Sequence, residues 1–301
     1  MKQIVVISGK GGTGKTVVTA CLASLAGKAA LADADVDASN LHLLLGPDVR
    51  ETHPFVAGRK ARLDPVRCSG CGLCLPVCRF EALTEDAGGR IRVDSLSCEG
   101  CGLCARVCDR DALIMESTEV GQWYVSDTRF GPLVHARLGA AQENSGKLVS
   151  QVRQRAGKIA REQNLDFLIL DGPPGIGCPV IASLAGADLA LIVTEPTPSG
   201  AQDMERVIEL TRHFRIRAVC AVNKHDLNPV NTESIETWCK AHSVPVVGRI
   251  PFDLRVVESV VRGLPCVEYG PGPAAESIRE IWSRLRESFD REAPSSGPAG
   301  G

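Results

Sequence analysis

Two sets of residues have the types and spacing to do chemistry. Residues 9–16 read Gly-Lys-Gly-Gly-Thr-Gly-Lys-Thr, and the pattern Cys-x2-Cys-x2-Cys-x3-Cys occurs twice, starting at Cys68 and at Cys98. The glycine-rich segment follows the apolar run 4–7 and precedes the helix-compatible run 17–26, the strand, loop and helix context that a phosphate-binding P-loop requires. Glycines let successive backbone N–H groups curl around phosphate oxygens, and the helix N-terminus adds the positive end of its dipole. In this reading Gly11, Gly12, Thr13, Gly14, Lys15, Thr16 and Val17 form the cradle. Lys15 neutralises the β and γ oxygens and Thr16 ligates Mg²⁺.

The chain has 13 cysteines, and eight of them lie within residues 68–108. In a reducing compartment such a concentration points to metal ligands and not to disulfides. Four thiolates in eleven residues, repeated thirty positions later, suit two [4Fe–4S] clusters better than zinc, whose sites pair Cys-x2–4-Cys units across a longer gap. As in bacterial two-cluster ferredoxins, the fourth cysteine of each run is expected on the other run's cluster. The sets are then Cys68, Cys71 and Cys74 with Cys108, and Cys98, Cys101 and Cys104 with Cys78. Gly70, Gly72, Gly100 and Gly102 permit close backbone approach, with N–H groups available to sulfur. Arg79 and Asp109 stand where a proline usually follows the fourth cysteine, which leaves the local turn open. Arg67, Arg79, Arg106 and Arg110 beside the ligands favour a cluster's reduced state.

Lys10, at the second position of the glycine-rich loop, makes the chain similar to the deviant Walker A ATPases, the group containing MinD, ParA, Mrp and the nitrogenase iron protein. That resemblance implies a homodimer in the ATP state, with Lys10 reaching across to the partner's nucleotide as an arginine finger does elsewhere. Residues 32–40, Ala-Asp-Ala-Asp-Val-Asp-Ala-Ser-Asn, resemble the group's acidic segment after its second strand. Asp35 would help position the attacking water and Mg²⁺, Asn40 would lie near the partner subunit, and Asp37 is the weaker candidate of the segment. The run 167–170, ending in Asp171 and Gly-Pro-Pro-Gly, resembles a Walker B strand feeding a switch, with Asp171 holding the Mg²⁺ shell. Asn223 and Lys224 resemble an adenine contact, and Pro251 and Asp253 the loop that closes the adenine pocket. The resemblance therefore implies Lys10, Lys15, Asp35 and Asp171 as catalytic residues, with ATP, Mg²⁺ and two [4Fe–4S] clusters as cofactors. Cys178 follows the switch where the nitrogenase iron protein has a bridging-cluster cysteine, but no second cysteine occurs between residues 115 and 171. It is read as a core thiol, as are Cys21, Cys220, Cys239 and Cys266.

Positioning these groups takes a sheet. Apolar runs at 3–8, 29–33, 167–171, 188–194, 218–223 and 246–250 alternate with amphipathic stretches, the pattern of an α/β fold with a mostly parallel sheet and helices on both faces, here a P-loop NTPase. Region 55–117 breaks the rhythm and is expected as an inserted bacterial-ferredoxin-like α+β domain. It divides the ATPase domain into 1–54 and 118–291, and a disordered tail follows at 292–301. Residues 121–126 read as a strand, and Asn144 or Ser145 as the cap of a helix reaching about Glu162. Lys147 in that helix is a candidate reporter of nucleotide state. Ile278, Ile281, Trp282, Leu285 and Phe289 form the sheet-facing stripe of the last helix.

Composition narrows the classes. The 301 residues carry 34 basic and 36 acidic side chains, a net charge of -2 that offers no footprint for nucleic acid. No apolar run approaches the ~18 residues that span a bilayer, and the chain enters a strand with no signal-peptide pattern, so a cytoplasmic protein without a membrane partner is expected. Four arginines against five acids in residues 276–292 favour packing of the last helix over membrane binding. The functional expectation is a nucleotide-gated dimer that couples ATP turnover to electron transfer, or to an unidentified redox or metallocofactor partner, through two clusters. The alternatives are an Mrp-like cluster carrier and a MinD- or ParA-like positioning switch. The absence of any Cys-x-x-Cys after Cys108 weighs against the carrier.

Overall fold

Ile4 and Val6 point to one side of the first strand and Val5 and Ile7 to the other, and all four are fully buried, so the sheet they belong to is covered on both faces. The computed structural model describes residues 1–139 and 146–290. In chain order the elements are β1 (Lys2–Ser8), α1 (Lys15–Ala26), β2 (Ala30–Asp33), α2 (Leu41–Leu45), β3 (Asp48–Leu63), β4 (Leu83–Glu85), β5 (Ile91–Val93), α3 (Leu103–Arg106), β6 (Leu113–Thr128) and β7 (Gly131–Leu138). They continue with α4 (Lys147–Glu162), β8 (Phe167–Pro174), α5 (Cys178–Leu184), β9 (Leu189–Thr194), α6 (Pro198–His213), β10 (Arg217–Asn223), α7 (Pro229–Ala241), β11 (Val246–Ile250), α8 (Leu254–Val261), α9 (Cys266–Tyr269) and α10 (Pro273–Asp290).

Among the described residues one sheet has the strand order β11-β10-β9-β1-β8-β2-β7-β6-β3, and β4 pairs with β5 in an antiparallel ribbon. Pairing is parallel from β11 through β10, β9, β1, β8 and β2 to β7. The six runs expected as strands are all in this parallel set, because burial from both sides makes such strands read as continuous apolar segments. The helices α1, α2, α9 and α10 share one core with Ile4, Val6, Leu31 and Ile169. On the other face α4 packs on β2 and β8, α5 on β8, and α6 on β9 and β10.

Two compact units divide the chain. One takes Met1–Thr52, Trp123–Arg137 and the residues from Gly146 onward, and the other takes His53–Gln122 with Leu138 and Gly139. β3 and β6 each run through a boundary, and as strands of 16 residues they exceed anything expected there. β3 was hidden because it ends the sheet order and buries only Phe55 and Ala61 along Asp-Val-Arg-Glu-Thr-His-Pro-Phe-Val-Ala-Gly-Arg-Lys-Ala-Arg-Leu. β6 contains the expected strand at 121–126 and turns into β7 through Arg129 and Phe130 alone, a connection that only an antiparallel pair permits. The smaller unit has its own core of Ala61, Leu83, Ile91 and Leu113, with Cys74 and Cys104 built into it.

The stripe of the last helix packs as expected: Ile278, Ile281, Trp282, Leu285 and Phe289 are buried, and Trp282 meets Phe167 edge-on with ring centroids 5.1 Å apart. Of the five remaining cysteines, Cys21, Cys220, Cys239 and Cys266 are buried, but Cys178 is exposed. The core reading of Cys178 is thus corrected: it is the first residue of α5, beyond the strand end where the chain has reached the surface. Asn144, Ser145 and the tail at 292–301 lie outside the described residues. The residue before α4 is Gly146, in the left-handed conformation with φ 71°, and Lys147 begins the helix exposed to solvent. No helix among the described residues is long and apolar enough to cross a membrane.

Candidate functional site

A parallel sheet gathers the loops that follow its strands along one edge, and the registers here bring five of them together. Val6 pairs with Asp171, Asp33 pairs with Asp171, and Thr194 pairs with Val222, so the segments after β1, β2, β8, β9 and β10 emerge side by side. The glycine-rich loop runs from Gly9 into α1. Gly14 closes it at φ 87°, and a Cβ there would sit 2.4 Å from Asn223 Nδ2, so any other residue would be strained in its backbone and would displace the Asn223 amide.

Lys15 lies at the centre of the edge and is only 6% exposed. Its Nζ donates to Asp35 Oδ2 at 3.1 Å and to Asp171 Oδ1 at 3.3 Å. Burial alone would lower the pKa of this amine, but the charges of Asp171, Asp35 and Asp33 outweigh it and hold the group protonated, above its ordinary value. Burial also raises the Asp171 carboxyl, opposed by Lys15 and the Thr16 hydroxyl. Thr19 Oγ1 donates to the same Asp171 Oδ1 at 3.1 Å, whereas buried Asp171 Oδ2 and Thr13 Oγ1 have no hydrogen-bond partner. An unpaired carboxylate oxygen beside a threonine and a lysine fits a hydrated Mg²⁺ and a phosphate chain.

The other expected residues are also on this edge. Lys10 Nζ folds back onto its own chain, donating to Thr197 Oγ1 at 3.1 Å and Ser199 Oγ at 3.4 Å, with Glu195 Oε2 at 3.8 Å. Asn223 Nδ2 donates to the Thr13 carbonyl at 2.8 Å, and Lys224 Nζ pairs with Glu195 Oε1 at 2.5 Å. Ile250 pairs with Asn223, so Pro251 and Asp253 follow at the same edge. Asp253 Oδ1 is engaged as the cap of α8, accepting from Arg255 N at 2.9 Å. Asp37 and Asn40 are exposed.

Two residues escaped sequence reasoning. Glu195 bridges Lys10 and Lys224, and its signal was the one that revealed Asp171: an acid directly after a buried apolar strand. Asp33, the last residue of β2, is fully buried and organises the segment that presents Asp35. Its Oδ2 accepts from Ser39 Oγ at 2.7 Å and Leu41 N at 3.1 Å, and its Oδ1 accepts from Asp35 N at 3.2 Å. Burial and then the charge of Asp171 push its carboxyl up to about 7. Because this value lies above the unfolded one, the folded chain holds an extra proton at intermediate pH, and the stability this contributes is complete below pH ~4 and is lost as pH rises through about 7. The melting temperature of nucleotide-free protein should therefore fall between pH 5.5 and pH 8, and Asp33→Asn should flatten that fall whatever its own stability. Equal slopes in the two proteins would show that Asp33 is charged throughout.

In the smaller unit the eight clustered cysteines line two pockets. Cys68, Cys71, Cys74 and Cys108 surround one, and Cys78, Cys98, Cys101 and Cys104 the other. Each has three cysteines from one run and the fourth from the other. Backbone N–H groups donate to sulfur in each set, Ala112 N to Cys108 Sγ at 3.3 Å and Ala61 N to Cys98 Sγ at 3.5 Å. Gly70, Gly72, Gly100 and Gly102 all have positive φ, and a Cβ on Gly100 would lie 1.9 Å from the Arg59 carbonyl oxygen. The turn after each fourth cysteine is built alike without proline: Glu81 and Asp111, thirty residues apart, have φ 52° and 49°. Among the described residues no group of three or more His, Cys, Asp or Glu is gathered as a site for a single metal ion.

Comparison with known proteins gives a matching family model, the CobQ/CobB/MinD/ParA nucleotide binding domain, over residues 4–266. An uncharacterised protein of Methanocaldococcus jannaschii is 32% identical over 95% of this chain and 96% of its own. A protein of Pyrococcus abyssi named iron-sulfur cluster carrier protein is 23% identical over 94% of this chain and 85% of its own. Among solved structures, the septum site-determining protein MinD of Pyrococcus horikoshii, complexed with Mg-ADP, has the same fold, with a TM-score of 0.57 and 19% identity over 97% of this chain and 99% of that one.

Proposed function

The chain belongs to the CobQ/CobB/MinD/ParA nucleotide-binding family, and from that premise we propose that it is an ATPase whose nucleotide-gated homodimer works through two [4Fe–4S] clusters in an inserted ferredoxin-like domain, residues 55–117. The observation that carries the cluster half is the distribution of eight cysteines over two pockets, each completed by a cysteine from the other run. When bound, such clusters supply one-electron transfer.

For the ATPase half, Lys15 Nζ exchanges two carboxylates for β and γ phosphate oxygens, a trade of partners that keeps a buried cation paired. Asp171 then keeps its open Oδ2 for a water on Mg²⁺, and Asp35, released from Lys15, orients the attacking water. Lys10 leaves Thr197 and Glu195 to reach the partner's phosphates. Asn223, Lys224, Pro251 and Asp253 border the adenine. Thiolate-held clusters suit a reducing, cytoplasmic setting. The output is electron transfer to a protein partner. A second reading, a cluster carrier, draws on the name of the Pyrococcus abyssi relative.

Protein purified without oxygen should contain about eight irons per chain, the content of two four-iron clusters. It should hydrolyse Mg-ATP, and it should dimerise in the presence of ATP as followed by light scattering. Zinc in place of iron, or about four irons with every cysteine intact, sinks the two-cluster assignment. Absence of Mg-ATP hydrolysis by the iron-replete protein sinks the ATPase. Transfer of the clusters intact to an apo-protein during turnover favours the carrier.

A further inference from the structure

The internal repeat makes the two cysteine pockets near copies, and its departures from symmetry fall where they bear on charge. Ser69 and Glu99 occupy equivalent positions after the first cysteine of each run, and Phe80 and Arg110 occupy equivalent positions two residues beyond the fourth. Because the fourth cysteines cross over, Ser69 and Arg110 line the pocket of Cys68, Cys71, Cys74 and Cys108, whereas Glu99 and Phe80 line the other. These two differences have the same sign, whereas the position directly after the fourth cysteine differs in the opposite sense, with Arg79 next to Cys78 and Asp109 next to Cys108. Asp109 also lines the first pocket and offsets Arg110, so that lining is close to neutral. Glu99 is the charged residue of the second lining, and Arg79, although next to Cys78 in the chain, is not part of that lining.

We propose that the two pockets hold clusters of unequal reduction potential, with the cluster of Cys68, Cys71, Cys74 and Cys108 the higher and Glu99 and Arg110 the residues that separate them. The inference rests on the two-cluster reading above. Reduction by a one-electron donor adds one negative charge to a cluster that its four thiolates already make anionic. A nearby carboxylate opposes that charge and a guanidinium favours it. Backbone hydrogen bonding to sulfur occurs in both sets, Ala112 N to Cys108 Sγ and Ala61 N to Cys98 Sγ, so the charged side chains are the difference between them. The first electron to arrive therefore settles on the cluster of Cys108. Cys71 and Cys101 are both exposed, so each pocket reaches the surface of its unit and each cluster is open to exchange with a partner.

The test is an anaerobic dithionite titration of the full chain, followed by electron paramagnetic resonance, after iron has been counted. Two separate one-electron waves are expected. Glu99→Gln should raise the lower wave alone and Arg110→Met should depress the upper wave alone, each by about tenfold in the ratio of reduced to oxidised cluster, or about 59 mV for one electron. Both side chains are exposed and neither is a ligand, so the variants keep the fold. Coincident waves in the wild-type protein, or a Glu99→Gln shift of the upper wave, overturn the inference while leaving two clusters in place. An iron count far below eight overturns the two-cluster reading, and this inference with it, before any titration begins.

Discussion

Lys15→Ala is expected to weaken ATP binding by ~100-fold or more, whereas Lys10→Ala should bind ATP normally and fail to dimerise or hydrolyse it. The magnitude follows from what Lys15 supplies: charge-assisted hydrogen bonds are worth roughly 1.5–3 kcal/mol each, and loss of two against β and γ oxygens amounts to roughly two to four orders of magnitude in affinity. The pocket resists the change further, because without Lys15 the carboxylates of Asp35 and Asp171 face the arriving phosphates with no cation between them. Lys10 differs in exposure and in partners. It is partly exposed and rests on two hydroxyls and the more distant Glu195, so its removal costs the isolated chain little. Titration calorimetry with a non-hydrolysable ATP analogue separates the two phenotypes, with light scattering for the dimer and phosphate release for turnover. A Lys10→Ala protein that hydrolyses ATP at the wild-type rate would exclude the sandwich mechanism for this chain. A Lys15→Ala protein that is folded and binds normally would exclude the P-loop assignment.

The legible parts of this molecule were those in which one local rule decides the structure. Buried parallel strands announced themselves as apolar runs. The phosphate loop was legible because glycines at fixed positions are costly to replace, as Gly14 against Asn223 shows. β3 was silent because a largely exposed strand has no hydrophobic face to alternate, and its sixteen residues include a proline and six basic or acidic side chains. Asp33 was passed over for the opposite reason. Its function is to hold Ser39, Leu41 and the backbone of Asp35, contacts that appear only when residues 33–41 fold over the end of β2. Glu195 needed the topology too, since only the adjacency of β9 to both β1 and β10 brings it within reach of Lys10 and Lys224 together.

Cys108→Ser, a change in the second cysteine run, is expected to eliminate the cluster of the first. The pocket that Cys68, Cys71 and Cys74 line is completed by Cys108 and by no other cysteine, while Cys78 of the first run lines the pocket of Cys98, Cys101 and Cys104. Serine leaves an alcohol in place of the thiolate, and an iron–sulfur cluster is held by thiolates. The loss is expected to be large: iron should fall from about eight to about four per chain, the difference of one four-iron cluster. The other cluster should survive the change, because Cys108 is partly exposed and not a member of the buried core, unlike Cys104. The remaining resonance spectrum identifies the pairing. If ligation crosses between runs, reduced Cys108→Ser protein should show the same surviving signal as Cys68→Ser, and Cys78→Ser the same as Cys98→Ser. If each run binds its own cluster, Cys108→Ser should instead match Cys98→Ser, and the pocket assignment fails. Crossed ligation also has a mechanical consequence, because each cluster then ties the start of one run to the end of the other across β4 and β5. Loss of either cluster should lower the melting temperature of the smaller unit as a whole, whereas independent sites would each unfold locally.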